Sequence, residues 1–467
     1  MDGHPLSISL LAYQAQAESK LDRLYRRWQS KRAELLKRGT GDHKDLNLAA
    51  SINLSVESPE MQPEGLELLK ALGQLPDGLG EEDLLALFPD TGDDAAANLL
   101  QLGLLLENAG RLRLLKPVRE HTRVLLPPGE EQMDKLMAHF LRMAKKMGPR
   151  AGAEGGREAI LELSVNWGNI LNMLDIALAK DQPLDGIDAV IALADFQVFS
   201  GLRDTGQLDK SELIAKEFGD KNRQANCKRV LGNLAYRKSD IENAIIHLEH
   251  AMSIYEETDD LLGVAHCLWS FGDMAFRIQE YEKAHICFEK ALSKYKRVDN
   301  LHGQANCVRS LGDLAKTELN YIKARDLFRT ALSIYQRIGN LLGQANCIGS
   351  LGDLALLGPD NNRAREFFQK ALPMFEKLGS LKGQANIISS LGNLAKKEND
   401  LVLAKQLYDK ALSIYRKIQD AFSIGRTLFY LSQITKGKEQ KAHREAARQT
   451  WEKAGYHRLI GENLTDD

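Results

Sequence analysis

Three rows of side chains recur at fixed spacing in the second half of this 467-residue chain, and their chemistry is that of amides and charges. The first row is Asn226, His266, Asn306, Asn346 and Asn386. The second is Arg229, Trp269, Arg309, Gly349 and Ser389. The third is Asn233, Asp273, Asp313, Asp353 and Asn393. Offsets of three, four and seven residues place the three rows on one face of a helix. Asparagine suits helix interiors poorly because its side chain competes for backbone hydrogen bonds, so four in one row suggest a use. Two readings are open. In one, the amides form a ladder gripping the backbone of an extended or helical peptide. In the other, Asn and Asp bond to the neighbouring unit and fix its stacking.

Other reactive groups point nowhere specific. Cys227, Cys267, Cys307 and Cys347 are each 40 residues apart, with Cys287 the odd one, which is neither a disulfide framework nor a zinc pattern. They read as one structural position repeated, a small hydrophobe whose free thiol fits a reducing compartment. His247 and His250 could start a metal site, but no third ligand accompanies them, so no metal is expected. There is no nucleophile elbow and no G-x-x-x-x-G-K followed by Ser or Thr. The expectation is a non-enzyme without a cofactor. A net charge of −2 argues against a nucleic-acid coat. No apolar run approaches the roughly 20 residues that span a bilayer, and no basic segment precedes the apolar N-terminal patch. The chain therefore reads as cytoplasmic, with no membrane and no nucleic-acid partner.

The rows ride on an internal repeat. Five copies start at residues 223, 263, 303, 343 and 383, as in GQANCVRSLGDLA, and continue into a block such as KARDLFRTALSIYQRI. Each copy reads as two helices. In the third, Leu311, Leu314 and Ala315 share one face, and Ala324, Phe328, Ala331, Leu332 and Tyr335 follow helical spacing in the next. Gly232, Gly272, Gly312, Gly352 and Gly392 sit mid-helix, where glycine costs about 1 kcal/mol against alanine. The reason predicted is the close crossing of a second helix.

Leu311-Gly312 followed by Ala324, Phe328 and Ala331 is similar to the tetratricopeptide pattern, and the 40-residue unit resembles the longer repeats of kinesin light chains and Pins-like adaptors. The resemblance implies an all-α superhelix, a TPR solenoid, whose first helices line a concave groove. The three rows would then face a protein or peptide ligand. Some relatives clamp a C-terminal carboxylate with Lys or Arg and Asn, which Arg229 and Asn233 partly match; the later acids instead suit a basic or mixed partner. The extra residues would lengthen the helices or the turns. Residues 184–222 and 423–460 resemble degenerate capping copies.

Ahead of the repeats, residues 9–37 read as a charged helical stretch and 46–58 as extended or irregular. PEGLELLKALGQ, EEDLLALF and a helix over 94–106 precede a hairpin turning at Ala109-Gly110 and a last helix in VREHTRVLL. Three helices and a two-stranded wing read as a winged-helix domain. Its candidate recognition helix holds Asp94, Asn98 and Gln101 without Lys or Arg, so phosphate contact is not expected. LSVESPEM, ALGQLPDGL, GRLRLLKPVREH and SVNWGNILNMLDIAL resemble the segments that follow the ATPase in fungal STAND (NACHT/NB-ARC-like) proteins with tetratricopeptide tails. Where such proteins carry a nucleotide-touching Met-His-Asp, this chain has Leu114-Leu115-Lys116.

The organisation expected is an N-terminal helix (1–45, the tail of a lost ATPase module or a linker), a winged-helix-like domain (46–127) and a helical linker with a degenerate cap (128–222). Five repeats (223–422) and a C-terminal cap (423–467) follow. The function implied is a protein-interaction module, the sensing arm of a STAND-type signalling protein without its NTPase domain, with self-association as a further property. The alternative is a stand-alone adaptor.

Overall fold

The computed structural model describes residues 5–17, 21–37, 43–152, 156–200, 206–238, 240–456, 460–461 and 464. Two compact units form, residues 1–143 with 164–180, and residues 144–163 with 181–467.

In the first unit α1 (Pro5–Ala17), α2 (Leu21–Lys37) and α3 (His43–Val56) share a core of Leu11, Trp28, Ala50 and Leu54. The charged stretch 9–37 thus falls on two helices, with 18–20 outside the described residues. Residues 46–56 are helical, not extended or irregular. Their Asn, Ser and Ile content favours other conformations, but burial of Leu48, Ile52 and Leu54 outweighs that weak preference.

Then come α4 (Pro63–Gly73), β1 (Leu79–Gly80), α5 (Glu81–Leu87), α6 (Gly92–Gln101), β2 (Leu105–Asn108), β3 (Arg111–Leu114) and α7 (Lys116–Leu125). The hairpin turns at Ala109 and Gly110, with φ of 50° and 71°, the left-handed pair that a two-residue turn between twisted strands requires. The unforeseen β1 pairs with β3, giving a sheet of order β1-β3-β2. The helix expected over 94–106 stops at Gln101. Gly103 adopts φ +69° and the Leu104 N–H donates to the Leu99 carbonyl at 3.1 Å, so the next leucines run into a strand. Asn98 faces inward: its Nδ2 donates to the Glu60 carbonyl at 2.8 Å and its Oδ1 accepts from the Gln62 N–H at 3.1 Å.

The chain continues through α8 (Glu130–Met147), a 3-10 turn (Gly148–Gly152), α9 (Gly156–Val165) and α10 (Trp167–Leu178). In the second unit α11 (Leu184–Ala192), α12 (Ala194–Ser200) and α13 (Gly206–Glu217) lead into six helix pairs. These are α14 (Lys221–Arg237) with α15 (Ile241–Glu257), α16 (Leu261–Arg277) with α17 (Tyr281–Arg297), and α18 (Leu301–Thr317) with α19 (Tyr321–Arg337). Next are α20 (Leu341–Leu357) with α21 (Asn361–Lys377), α22 (Leu381–Lys397) with α23 (Leu401–Lys417), and α24 (Ala421–Ile434) with α25 (Gly437–Lys453). The last pair occupies the stretch read as a degenerate sixth copy. Each pair packs on the next, the α–α superhelix expected.

The added length lies in the helices. All ten helices of the first five pairs have 17 residues, about 25 Å at 1.5 Å per residue. The joints are three residues long and serve two helices at once. At 338–340, Gly339 takes φ +68°, and the Asn340 N–H closes the old helix on the Tyr335 carbonyl at 2.9 Å. The Asn340 side chain then accepts from the Gly343 N–H at 2.6 Å and caps the new helix.

The mid-helix glycines have the steric cause predicted. A Cβ on Gly312 would stand 2.8 Å from the Phe328 ring, and one on Gly272 2.6 Å from Phe288. Glycines at the start of the copies are tighter still. A Cβ on Gly343 would lie 2.2 Å from the Tyr335 ring, and one on Gly303 2.3 Å from Tyr295. Phe328, Tyr335 and their equivalents fill the space thus kept.

Candidate functional site

The three rows lie on the first helices α14, α16, α18, α20 and α22, and most of their members already have work within the protein. In the first row, a tyrosine 29 residues later, on the second helix of the same copy, reaches the amide. Tyr255 donates to Asn226 at 2.8 Å, Tyr335 to Asn306 at 2.5 Å and Tyr415 to Asn386 at 2.7 Å, while Tyr295 meets His266 Nδ1 at 2.7 Å. Burial pushes the His266 imidazole down to about 3, so it stays neutral.

The fourth copy differs. Phe375 stands where the others have tyrosine and has no hydroxyl. Among the described residues Asn346 therefore forms no side-chain hydrogen bond.

The second row is mixed. Gly349 leaves room that Ile387 of the next copy fills, and Ser389 is buried. Arg229 lies beside the Tyr255 hydroxyl, with a buried Nε that has no partner. The buried Trp269 Nε1 likewise has none. Arg309 donates to Asp313 at 2.8 Å.

The third row stitches copies together or is neutralised locally. Ser270 donates to Asn233 at 2.9 Å and Ser390 to Asp353 at 2.7 Å, each across a copy boundary. Asp273 accepts from the Tyr236 hydroxyl at 2.7 Å and has Arg277 Nε at 3.6 Å. Asn393 accepts from Tyr408 at 2.7 Å. Lys316 stands 4.0 Å from Asp313 and 3.9 Å from Asp353. The acids that suggested a basic or mixed ligand are thus engaged by the chain's own groups.

Eight of the thirteen non-glycine, non-serine row residues meet in the inner hollow of the superhelix: Arg229, Asn233, Trp269, Asp273, Asn306, Arg309, Asn346 and Asn386. Asn226, His266, Asp313, Asp353 and Asn393 do not line it. The hollow has two adjoining parts, of about 580 and 250 Å³, which share Trp269, Arg309 and Asn346. It is a partly open hollow, narrowed where the array curls onto itself. The Arg277 guanidinium lies 5.3 Å from the Tyr236 ring and 5.5 Å from the ring of Phe422, in the sixth pair.

Several residues of the hollow escaped the row pattern. Arg237 and Arg277 continue the third row by one more turn, at i+4, and extending the face would have found them. Arg237 forms no ion pair among the described residues. Lys382, in the first turn of α22, holds Asp420 at 2.6 Å; burial lowers its amine to about 8. Asp195 keeps contact with solvent in the hollow, yet the surrounding protein raises its carboxyl against the pull of Arg229 and Arg237.

The cysteine ladder is packing. Cys227, Cys267, Cys307 and Cys347 are fully buried, and burial pushes their thiols up to about 12. Among the described residues no group of three or more His, Cys, Asp or Glu could hold a metal ion, and no helix is long and apolar enough to cross a membrane.

Residues 209–297 and 301–377 match the family model described as tetratricopeptide repeat. No curated protein matches the chain. A Rap protein solved with competence and sporulation factor is 12% identical, with 72% of this chain and 91% of that one covered, at a TM-score of 0.50. A Rap conjugation regulator of plasmid pLS20, solved with the Phr* peptide, is 14% identical over 71% of this chain and 98% of that one, at 0.49. A STAND protein with a tetratricopeptide repeat sensor from Pyrococcus horikoshii is 14% identical, covering 99% of this chain and 69% of its own, at 0.41. The family match and the Rap likeness at 0.50 concern the fold, a tetratricopeptide-type solenoid, which generally serves as a non-catalytic interaction module.

Proposed function

We propose that this chain is a peptide- or protein-binding module, the ligand-sensing arm of a STAND-type signalling protein, and that its ligand enters the hollow with an anionic group foremost. The free amide of Asn346 carries the reading. Four copies engage the residue of this row, three asparagines and one histidine, through a tyrosine hydroxyl; the fourth, with Phe375, leaves the Asn346 amide exposed to the hollow. Buried polar atoms are nearly always satisfied, and leaving one unpaired costs about 1–3 kcal/mol. The Asn346 amide is half-buried, so part of that cost applies to it until a ligand arrives. Arg237, which forms no ion pair among the described residues, lines the hollow with Asn346, so the group that suits both is an anionic acceptor such as a carboxylate.

The Rap protein of similar fold was solved with a bound factor, which supports a ligand-carrying role for an array of this kind. The STAND setting, and a winged-helix part over 46–127, rest on the sequence segments quoted above. Buried free thiols suit action in the cytoplasm.

The test is affinity capture from the source cell's lysate with the wild-type chain, Asn346→Leu and Arg237→Glu. Both variants should keep the wild-type melting temperature and lose the same partners. Retention of every partner by both would refute the reading.

A further inference from the structure

A second site lies on the outer edge of the solenoid, away from the hollow. The joints between the helices of the second, third and fifth copies close on a left-handed residue, Gln279, Leu319 or Asn399, followed by an N–H that returns to the first helix. In the fourth copy the corresponding residues are Gly358, Pro359 and Asp360. Proline holds φ near −65° and has no N–H, so this closure cannot form. Gly358 is extended (φ −86°, ψ −176°), and Lys397 of the next copy instead donates to the Leu356 carbonyl at 2.6 Å.

At this lapse a cleft of about 340 Å³ opens, floored by Leu351, Leu354 and Phe367 and flanked by Ile322, which is 68% exposed. Its rim is basic. Arg325, Arg329 and Arg363 border it and are all exposed. The carboxylate in its lining, Asp360, is occupied as a helix cap, accepting the Arg363 N–H at 3.0 Å, and the exposed Asp326 stands 3.7 Å from Arg325, leaving Arg329 and Arg363 in excess.

The complementary surface is in the same sequence. Residues 71–110 contain Asp77, Glu81, Glu82, Asp83, Asp90, Asp93, Asp94 and Glu107 and not one Lys or Arg. Within it α5 exposes Glu81, Glu82 and Leu85, the leucine at 48%. Glu81 and Leu85 are four apart on one helix face, as Arg325 and Arg329 are on α19.

We propose that this cleft docks the acidic α5 face of a second copy of the chain, with Leu85 entering between Ile322 and Phe367 and Glu81 and Glu82 meeting Arg325 and Arg329. The contact uses surfaces separate from the hollow and does not depend on the ligand reading. Charges at its rim are solvent-exposed, so the association is salt-sensitive.

Sedimentation of the full chain over a concentration series tests it. The wild-type chain should associate at low salt, and the association constant should fall about tenfold or more at high salt. Arg325→Glu with Arg329→Glu should abolish association, as should Glu81→Lys with Glu82→Lys, both with unchanged melting curves. An equimolar mixture of the two variants should associate again, because each then offers the charge that the other's surface needs. A wild-type chain that stays monomeric at every concentration would overturn the proposal. So would variants that associate like the wild type, or a mixture that remains monomeric.

Discussion

The third and fourth copies are built on one plan, and two of the places where they part company leave a surface open. On the inner side Tyr335 ties up Asn306, whereas Phe375 leaves Asn346 free. On the outer edge Leu319 closes its joint, whereas Gly358 and Pro359 leave theirs open. In both places one step of a repeated bonding scheme is missing, and in both a polar or apolar surface is left without a partner among the described residues. A repeat array makes such lapses conspicuous, because the other copies state what the position does when it is purely structural.

The comparison can be broken most severely in the shared core. Leu311→Ala removes a buried side chain and should cost about 2–5 kcal/mol, read as a lowered melting temperature by circular dichroism; an unchanged curve would put the register of the third copy in error. A smaller effect sharpens the inner difference. Tyr335→Phe should cost about 1 kcal/mol by stranding the Asn306 amide, and Phe375→Tyr should gain about 1 kcal/mol or less while weakening partner capture through Asn346. If the two substitutions shift stability in the same direction, the tyrosine bond is not what separates the copies. At the outer joint Leu319 holds φ +60° at 71% exposure, so Leu319→Gly should stabilise by about 0.5–1 kcal/mol in urea titrations. Gly358→Leu, already in extended backbone, should show no such gain.

The smallest effect concerns the second copy, where His266 replaces asparagine. Its folded value of about 3 lies below its unfolded value of about 6.5. Its contribution is therefore complete above pH 6.5 and drains away as pH falls towards 3, because the unfolded chain takes up the proton first. His266→Asn should make the melting temperature fall less steeply over that window, with depressed carboxylates such as Asp220 and Asp420 still contributing, and leave it unchanged at pH 8.

Much of this was readable in the sequence because it is local. The register, the two glycine ladders and the hairpin at Ala109-Gly110 depend on residues within one turn or one helix pair. The face shared by the three rows was readable for the same reason. What each row does was not. Whether an asparagine is free depends on a ring 29 residues away on another helix, and a one-atom difference between Tyr335 and Phe375 decides it. The approach of the second pair to the sixth rests on contacts such as that of Arg277 with Phe422, a pairing no periodicity encodes. Residues 46–56 are helical against their local propensity because the burial of Leu48 and Ile52, a tertiary property, overrides it.

The contact between Arg277 and Phe422 also bears on how many copies the protein can have. Open solenoids tolerate gain or loss of units, since each unit touches only its neighbours and stability adds along the line. Here the second copy reaches the sixth, so removing or duplicating one 40-residue unit would carry one side of that contact past the other. Closure of this kind disfavours a change in copy number, and it couples the second pair to the sixth so that the two should unfold together instead of fraying unit by unit from the ends.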